Sequence, residues 1–361
     1  MDRRSFLRKS AIGGSAAAAS TLAAPLYAQG NRTLTMVTSV PDGFAIFDDA
    51  ANYAANAITE MTDGQITINK QPAGSLVGAF EVFDAVSSGQ ADLYHSAEYY
   101  FLNQHPGFAY FTAVPFGMTG VEMLAWYYHQ GGAELHQNLA SLFNLRPFLA
   151  GNTGMQPGGW FNSEISSADD LQGLRFRMPG QGGQVLGRLG ASVQNIPGGE
   201  IYQALSSGQI DGAEWIGPFA DERLGFQEVT SLYYTAGFHE PGSALSLSMN
   251  LDVWESLTPA QQRIVEIACE ATHANNLGMS WAENGAALKR LQSEGVQVRE
   301  FPDDVWQAFG TAAAEVRQES MSDDLFAEIS NSYFEAMEST SAWWEIGDGE
   351  YIRQRNRVNA G

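Results

Sequence analysis

Two periods of apolar and polar positions alternate along this chain, and their succession predicts an α/β fold. Leu34-Thr35-Met36-Val37-Thr38 reads as a strand, and Phe44 to Met61 as a helix ending at Asp63-Gly64. Gln65 to Lys70 alternates, with Ile66 and Ile68 on one face, which predicts a second strand. Further strands are predicted over Leu145–Leu149, Leu174–Met178 and Ala244–Met249, with a helix over Gln181–Leu189 closed by Gly190. Thr258, Pro259 and Gln261 form a helix start with a capping box. Helical character then continues through Gly278 and Gly285 to Gly295, about 37 residues or ~55 Å at 1.5 Å per residue. A lobe of this chain is only ~30 Å across, so the helix 258–295 must span two lobes or break at a glycine, and the spanning helix is expected.

A repeat supports two lobes of similar construction. Ser87-Ser88-Gly89-Gln90-Ala91-Asp92 returns as Ser206-Ser207-Gly208-Gln209-Ile210-Asp211. Each copy follows an aromatic, a polar residue, Ala and an aliphatic: Phe83-Asp84-Ala85-Val86 and Tyr202-Gln203-Ala204-Leu205. Each predicts a helix, a glycine C-cap and a short strand. The copies then diverge, into Leu93-Tyr94-His95-Ser96 and Gly212-Ala213-Glu214-Trp215. Ligands in open α/β sheets sit beyond the carboxyl ends of strands, so function is expected in the divergent residues. The division expected is residues 29–150 plus 242–275 for the first lobe and 151–241 plus 296–325 for the second. The segment 326–361 is expected as a C-terminal helical tail.

Composition narrows the setting. The 361 residues carry a net charge of −22, with lysine only at Lys9, Lys70 and Lys289, which makes nucleic acid and anionic membrane surfaces poor partners, and none is expected. Arg3-Arg4-Ser5-Phe6-Leu7-Arg8-Lys9, the Ala/Gly-rich stretch Ala11 to Ala24 and Leu26-Tyr27-Ala28 read as a twin-arginine signal peptide over residues 1–28. The mature chain is then expected in the periplasm, with no apolar run long enough for a membrane span. The one cysteine, Cys269, excludes an internal disulfide and a thiolate metal site, and reads as a small buried apolar residue. An exported, acidic, cysteine-poor chain of two α/β lobes is expected to have the periplasmic binding protein fold, with a cleft between the lobes.

The candidate chemistry lies at the strand ends. Asn152 to Phe161 offers amides and a tryptophan among glycines. Arg177, toward the carboxyl end of its strand, can grip a carboxylate with two parallel hydrogen bonds. Glu214 and Trp215 end the strand of the second repeat copy. A carboxylate ligand on Arg177 would be repelled by Glu214, by ~4 kcal/mol at 4 Å with an effective dielectric near 20. A cation removes that conflict. Glu214, the Gln156 amide oxygen, the Trp215 carbonyl and ligand oxygens make an all-oxygen set suited to Na⁺ or Ca²⁺. Tyr99, Tyr100 and Phe47 are candidates for a wall from the first lobe. His239-Glu240 reads as a surface pair rather than one that reaches the cleft, which is the alternative. No nucleophile elbow, Walker loop or paired-histidine motif appears, so no enzyme is expected.

Gly151-Asn152-Thr153-Gly154-Met155-Gln156-Pro157-Gly158-Gly159-Trp160-Phe161, Leu174 to Met178, and Asp211-Gly212-Ala213-Glu214-Trp215-Ile216-Gly217-Pro218 resemble a TRAP (tripartite ATP-independent periplasmic) transporter solute receptor. The resemblance is strongest to the subgroup that binds 2-oxo acids and lactate, and covers nearly the whole chain. It implies a small 2-oxo or 2-hydroxy monocarboxylate held by Arg177, with Asn152 hydrogen-bonded to it. It implies a sodium or calcium ion held by Gln156, Glu214 and the Trp215 carbonyl. It also implies an aromatic wall at Phe47 and Tyr100, delivery to TRAP membrane permease subunits and, in some members, a homodimer through a C-terminal helix. Another organic acid (a sugar acid, dicarboxylate or amino acid) is the alternative ligand, and a periplasmic carboxylate-based hydrolase a more distant one.

Overall fold

The computed structural model describes residues 31–359, so the signal sequence expected over 1–28 lies outside the described residues. The strands, in chain order, are β1 (Arg32–Thr38), β2 (Ile66–Gln71), β3 (Leu93–Ser96), β4 (Leu145–Asn152), β5 (Gly159–Phe161), β6 (Arg175–Arg177), β7 (Ser192–Gln194), β8 (Gly212–Ala213), β9 (Leu232–Tyr234), β10 (Ala244–Asn250) and β11 (Gln297–Arg299). They form two sheets, ordered β2-β1-β3-β10-β4 and β11-β9-β5-β8-β6-β7. The first is parallel except for β10, which returns antiparallel between β3 and β4. Two α/β lobes result, and the chain passes between them after β4, before β10 and along one long helix.

The repeat builds the same unit twice. Gly89 and Gly208 both sit at positive φ, 79° and 71°, which lets each chain turn back over its helix end. The amides of Gln90 and Ala91 then donate to the Ala85 carbonyl, as those of Gln209 and Ile210 donate to that of Ala204. Asp92 Oδ2 accepts from the Thr35 amide at 2.7 Å, and Asp211 Oδ2 from the Arg175 amide at 3.0 Å. Each aspartate thereby ties its own strand to the start of a neighbour, β3 beside β1 and β8 beside β6.

The long helix runs unbroken from Pro259 to Ser293. Thr258 Oγ1 accepts from the Gln261 amide while Gln261 Oε1 accepts from the Thr258 amide, completing the expected box. Gly278 and Gly285 face open space, and each costs about 1 kcal/mol relative to alanine in a helix. Packing at both ends outweighs them. Val265, Ala268 and the buried Cys269 pack with the first sheet, whereas Ala287 and Leu291 belong to the cluster that includes Phe219 and Phe226. A polar row on the same helix stitches the lobes. Asn276 Oδ1 accepts from the Asn152 amide and its Nδ2 donates to the Ile46 carbonyl, both at 2.8 Å. Ser280 donates to the Thr153 carbonyl, and Asn284 Oδ1 accepts from the Phe219 amide at 3.0 Å.

The first helix differs from its sequence reading at its start. It begins at Phe47, not Phe44, because Ile46 adopts φ 71° and cannot continue a helix. The helix Asp303–Glu319 packs on the second lobe, beside the helix Gly180–Arg188. The helix Asp324–Ile346 crosses back onto the first lobe, where the Tyr333 hydroxyl accepts from the Met118 amide at 2.5 Å and its ring packs on Tyr110 and Trp126, with centroids 5.1 and 5.0 Å away. No helix among the described residues is long and apolar enough to cross a membrane.

Candidate functional site

Strand β6 carries Phe176 into the apolar core of the second lobe and, by alternation, points its arginines the other way. The two arginines have different fates. Arg175 is exposed and paired with Asp211. Arg177 is only 1% exposed and stands at the carboxyl end of the strand. Its Nε donates to the Ile196 carbonyl at 3.0 Å and its Nη1 to the Glu214 carbonyl at 2.9 Å and to the Glu214 carboxylate. Nη2 is buried with no partner. A guanidinium anchored on two edges and free on a third is oriented to receive an anion.

Glu214 follows β8, whose Ala213 is in register with Arg177. Burial pushes the Glu214 carboxyl up to about 7, against the downward pull of Arg177. Its Oε2 is buried and unpartnered. The loop beyond is held by Asp221, which accepts from the Ile216 and Gly217 amides, Trp160 Nε1 and the Tyr233 hydroxyl at 2.9–3.1 Å. This brace fixes the backbone around Trp215. The Trp215 ring itself lies where a Cβ on Gly198 would overlap it, so only glycine leaves room there.

The crossing strands bring in the remaining polar groups. The Gln156 amide donates to the Glu240 carbonyl at 3.0 Å, and the Gly237 amide to the Gln156 carbonyl at 2.9 Å. Gln156 Nε2 donates to Thr153 Oγ1 at 3.0 Å, which leaves Oε1 buried and unpartnered. His239 and Glu240, read from sequence as a surface pair, are each 2% exposed and belong to this cluster. Among the described residues, Glu214, His239 and Glu240 are the group whose ligand atoms converge within 4.8 Å. Burial and Glu214 push the Glu240 carboxyl up to about 7, and burial pushes the His239 imidazole down to about 4. His239 is therefore neutral, and its Nε2 stands 3.5 Å from Glu214 Oε2 without forming a hydrogen bond.

Two carboxylates this close in a buried place are costly unless a cation or protons neutralise them. The unpartnered oxygens of Glu214 and Gln156 fit a cation, and the free Nη2 of Arg177 fits a carboxylate. The expected residues are thus mostly brought together. Arg177 Cζ lies 5.3 Å over the Trp215 ring, and Phe47, from the first lobe, stacks on Trp215 with centroids 6.5 Å apart and planes at 11°. Tyr100 is buried, and burial pushes its hydroxyl up to about 12 although Arg177 pulls it down. Tyr99 and Tyr100 also line a cavity of about 550 Å³ between the lobes, with Phe80 on their side and Met178, Gly180 and Asn195 opposite. Asn152 is differently engaged. Its Oδ1 accepts from the Gly154 amide at 2.8 Å, while its Nδ2 has only long contacts, 3.5 Å to the Gly242 carbonyl and 3.4 Å to His273 Nε2.

Sequence reasoning missed His239, Glu240 and Asp221 as parts of the site. The first two lie on a connection without periodicity, and only the pairing of that connection with residues 156–158 carries them inward. The one signal for Asp221 was an acidic residue in the first turn of a helix opened by Gly217-Pro218.

Residues 36–324 match the family described as bacterial extracellular solute-binding protein, family 7 (DctP). The monocarboxylate 2-oxoacid-binding periplasmic protein of Nostoc sp. is 38% identical over 317 residues, 88% of this chain and 87% of the relative. A TRAP transporter solute binding protein from Bordetella bronchiseptica superposes with a TM-score of 0.89 at 32% identity, over 92% of this chain and 99% of its own. It is a mixed-occupancy dimer with copurified calcium and picolinate in one site and the other site apo. A TRAP periplasmic solute binding protein from Pseudoalteromonas atlantica, with bound sodium and pyruvate, superposes with a TM-score of 0.87 at 38% identity, over 90% and 99% of the two chains. The match runs over most of the sequence and the whole two-lobed fold, and the chain belongs to the family 7 extracellular solute-binding proteins of TRAP transporters, receptors that act outside the cytoplasm and are not enzymes.

Proposed function

We propose that this receptor binds a small 2-oxo or 2-hydroxy monocarboxylate of the pyruvate, 2-oxobutyrate or lactate type together with a sodium or calcium ion, and delivers it to TRAP permease subunits. The observation that carries the reading is the buried Arg177, with Nη2 unpartnered beside the unpartnered carboxylate oxygen of Glu214. In this reading Arg177 takes the ligand's carboxylate, and Gln156 Oε1, Glu214 and the Trp215 carbonyl hold the cation. Phe47, Tyr100 and the Trp215 ring enclose the apolar part. Asn152 Nδ2, whose present contacts are long, turns its donor to the ligand's oxo or hydroxyl oxygen. The relatives with pyruvate and sodium, or picolinate and calcium, support a monocarboxylate over a dicarboxylate or sugar acid.

Calorimetric titration with pyruvate, 2-oxobutyrate and lactate, before and after chelation, tests the reading. Binding is expected with at least one of them, to weaken on chelation, and to vanish in Arg177→Ala with its fold retained by circular dichroism. Tight binding of a dicarboxylate or sugar acid with no response to these three would overturn it.

Two further proposals concern setting. Export by the twin-arginine route follows from Arg3-Arg4 and is checked by replacing both with lysine, which should leave the precursor in the cytoplasm. A homodimer through the C-terminal helices follows from the exposed Trp343, Trp344, Ile346, Tyr351 and Val358, and from the dimer formed by the Bordetella bronchiseptica relative. Sedimentation equilibrium should give twice the chain mass, and a monomer mass at micromolar concentration would sink that arrangement.

A further inference from the structure

The side-chain atoms that converge beside Glu214 are not all oxygen. His239 stands on the connection from β9 to β10, two residues after Gly237. A Cβ on Gly237 would come within 2.5 Å of His239 Cε1 and 2.7 Å of Nδ1. A Cβ on Gly182 would come within 2.6 Å of His239 Cβ. The ring is thus wedged between two glycines, with Nδ1 against Gly237 and Nε2 facing Glu214 Oε2 at 3.5 Å. Neither nitrogen has a partner, although the residue is only 2% exposed. A buried, unpaired imidazole nitrogen held toward an unpaired carboxylate oxygen is half of a coordination shell.

Charge points the same way. Glu214, Glu240 and a bound monocarboxylate contribute three negative charges, and Arg177 one positive. A divalent ion brings this buried group to neutrality, whereas a monovalent ion leaves a net negative charge away from water. Imidazole suits borderline divalent ions better than it suits sodium or calcium.

We propose that His239 donates its Nε2 to the cation, so that the site accepts borderline divalent ions such as Co²⁺ and Zn²⁺ besides the hard ions, and holds them more tightly than calcium. The assignment rests on the cation-plus-carboxylate reading above. It sets this chain's ion preference through a residue outside the oxygen set of Gln156, Glu214 and Trp215.

The test uses the untagged mature receptor, stripped with chelator and titrated with Co²⁺ and with Ca²⁺ in the presence of pyruvate. Wild type is expected to prefer Co²⁺ by at least about tenfold, a conservative figure for exchanging a hard-ion site for one with an imidazole donor. His239→Gln and His239→Phe should lose most of that preference, with Co²⁺ affinity falling further than calcium affinity. Electron spin-echo modulation of bound Mn²⁺ should show a nitrogen coupling in wild type that both variants lack. A Co²⁺ preference unaltered by both variants, or no histidine-dependent nitrogen coupling, overturns the assignment. If calcium-dependent pyruvate binding persists in that case, the receptor reading stands alone. If neither ion nor carboxylate binds to wild type, the receptor reading falls and the assignment with it.

Discussion

At the residue scale the site is a set of groups that burial alone would not tolerate. Glu214 and Glu240 are both pushed up to about 7, the first by burial against the pull of Arg177, the second by burial and by Glu214 itself. A carboxyl whose folded pKa lies above its unfolded value binds more protons when folded. The chelated, ligand-free protein therefore has the full contribution of these groups below pH 4.5, and loses it as pH rises through about 7. A bound cation requires both carboxylates ionised, so its affinity rises over the same interval. We expect the thermal midpoint of chelated protein to fall between about pH 5 and pH 8, and saturating calcium to remove that fall. Glu214→Gln with Glu240→Gln should flatten the profile; a fall that survives both substitutions would place its origin elsewhere. Arg177 was legible in the sequence because it ends a short alternating strand, and Glu214 because it ends the strand of the second repeat copy. His239 and Glu240 were not. Nothing in an aperiodic connection tells which side of it will face a cleft, and an isolated His-Glu pair has the composition of a solvated loop.

At the element scale, the position of the aromatic wall is set by a strained helix start. Ile46, β-branched and at φ 71°, ψ −55°, occupies backbone space that such a residue rarely adopts. Three bonds hold it there. Its amide donates to Asp49 Oδ2 at 2.9 Å, and its carbonyl accepts from the Ala50 amide at 3.2 Å and from Asn276 Nδ2 of the long helix at 2.8 Å. Phe47, the next residue, is thereby aimed at Trp215. Asn276 also receives the Asn152 amide, so Asn276→Ala orphans that buried amide and takes one of two donors from the Ile46 carbonyl, which keeps the Ala50 amide. An orphaned buried donor costs about 1–3 kcal/mol, and urea denaturation should show a loss in that range. Loss of the hold on Phe47 should also weaken carboxylate binding. Asn276→Asp, which keeps the acceptor for the Asn152 amide but not the donor to Ile46, should recover part of the stability and little of the binding. A variant as stable as wild type would show that Ile46 is held without the bond from Asn276. The long helix was legible because a capping box and an unbroken pattern mark it. Its polar row was not, since His273, Asn276, Ser280 and Asn284 gain meaning only from the two lobes they touch.

At the scale of the whole molecule, the site exists only where the lobes meet. Phe44 and Phe47 come from the first lobe and Trp215 from the second, with Phe44 and Trp215 centroids 6.0 Å apart at 89°. The repeat made two lobes foreseeable, because the same helix–glycine–strand unit recurs with the same aspartate clamp. The relative placement of the lobes was not foreseeable, since it depends on contacts between residues far apart in sequence. In the closed arrangement described here Arg177 and Glu214 are each 1% exposed, so a ligand has no path to them without separation of the lobes. Removing the ligand and the cation also removes the charges that reconcile Glu214 with Glu240, which favours separation. Two measurements then move together. Small-angle scattering should give a larger radius of gyration for chelated, ligand-free protein than for protein saturated with calcium and pyruvate. Trp215, 5% exposed when closed, should shift its emission to the red on opening, and Trp215→Phe should abolish much of that shift while leaving the scattering change in place. Identical scattering in both states would mean that access comes from local motion of the wall formed by Tyr99 and Tyr100 along the cavity they line, with the lobes fixed by the polar row of the long helix.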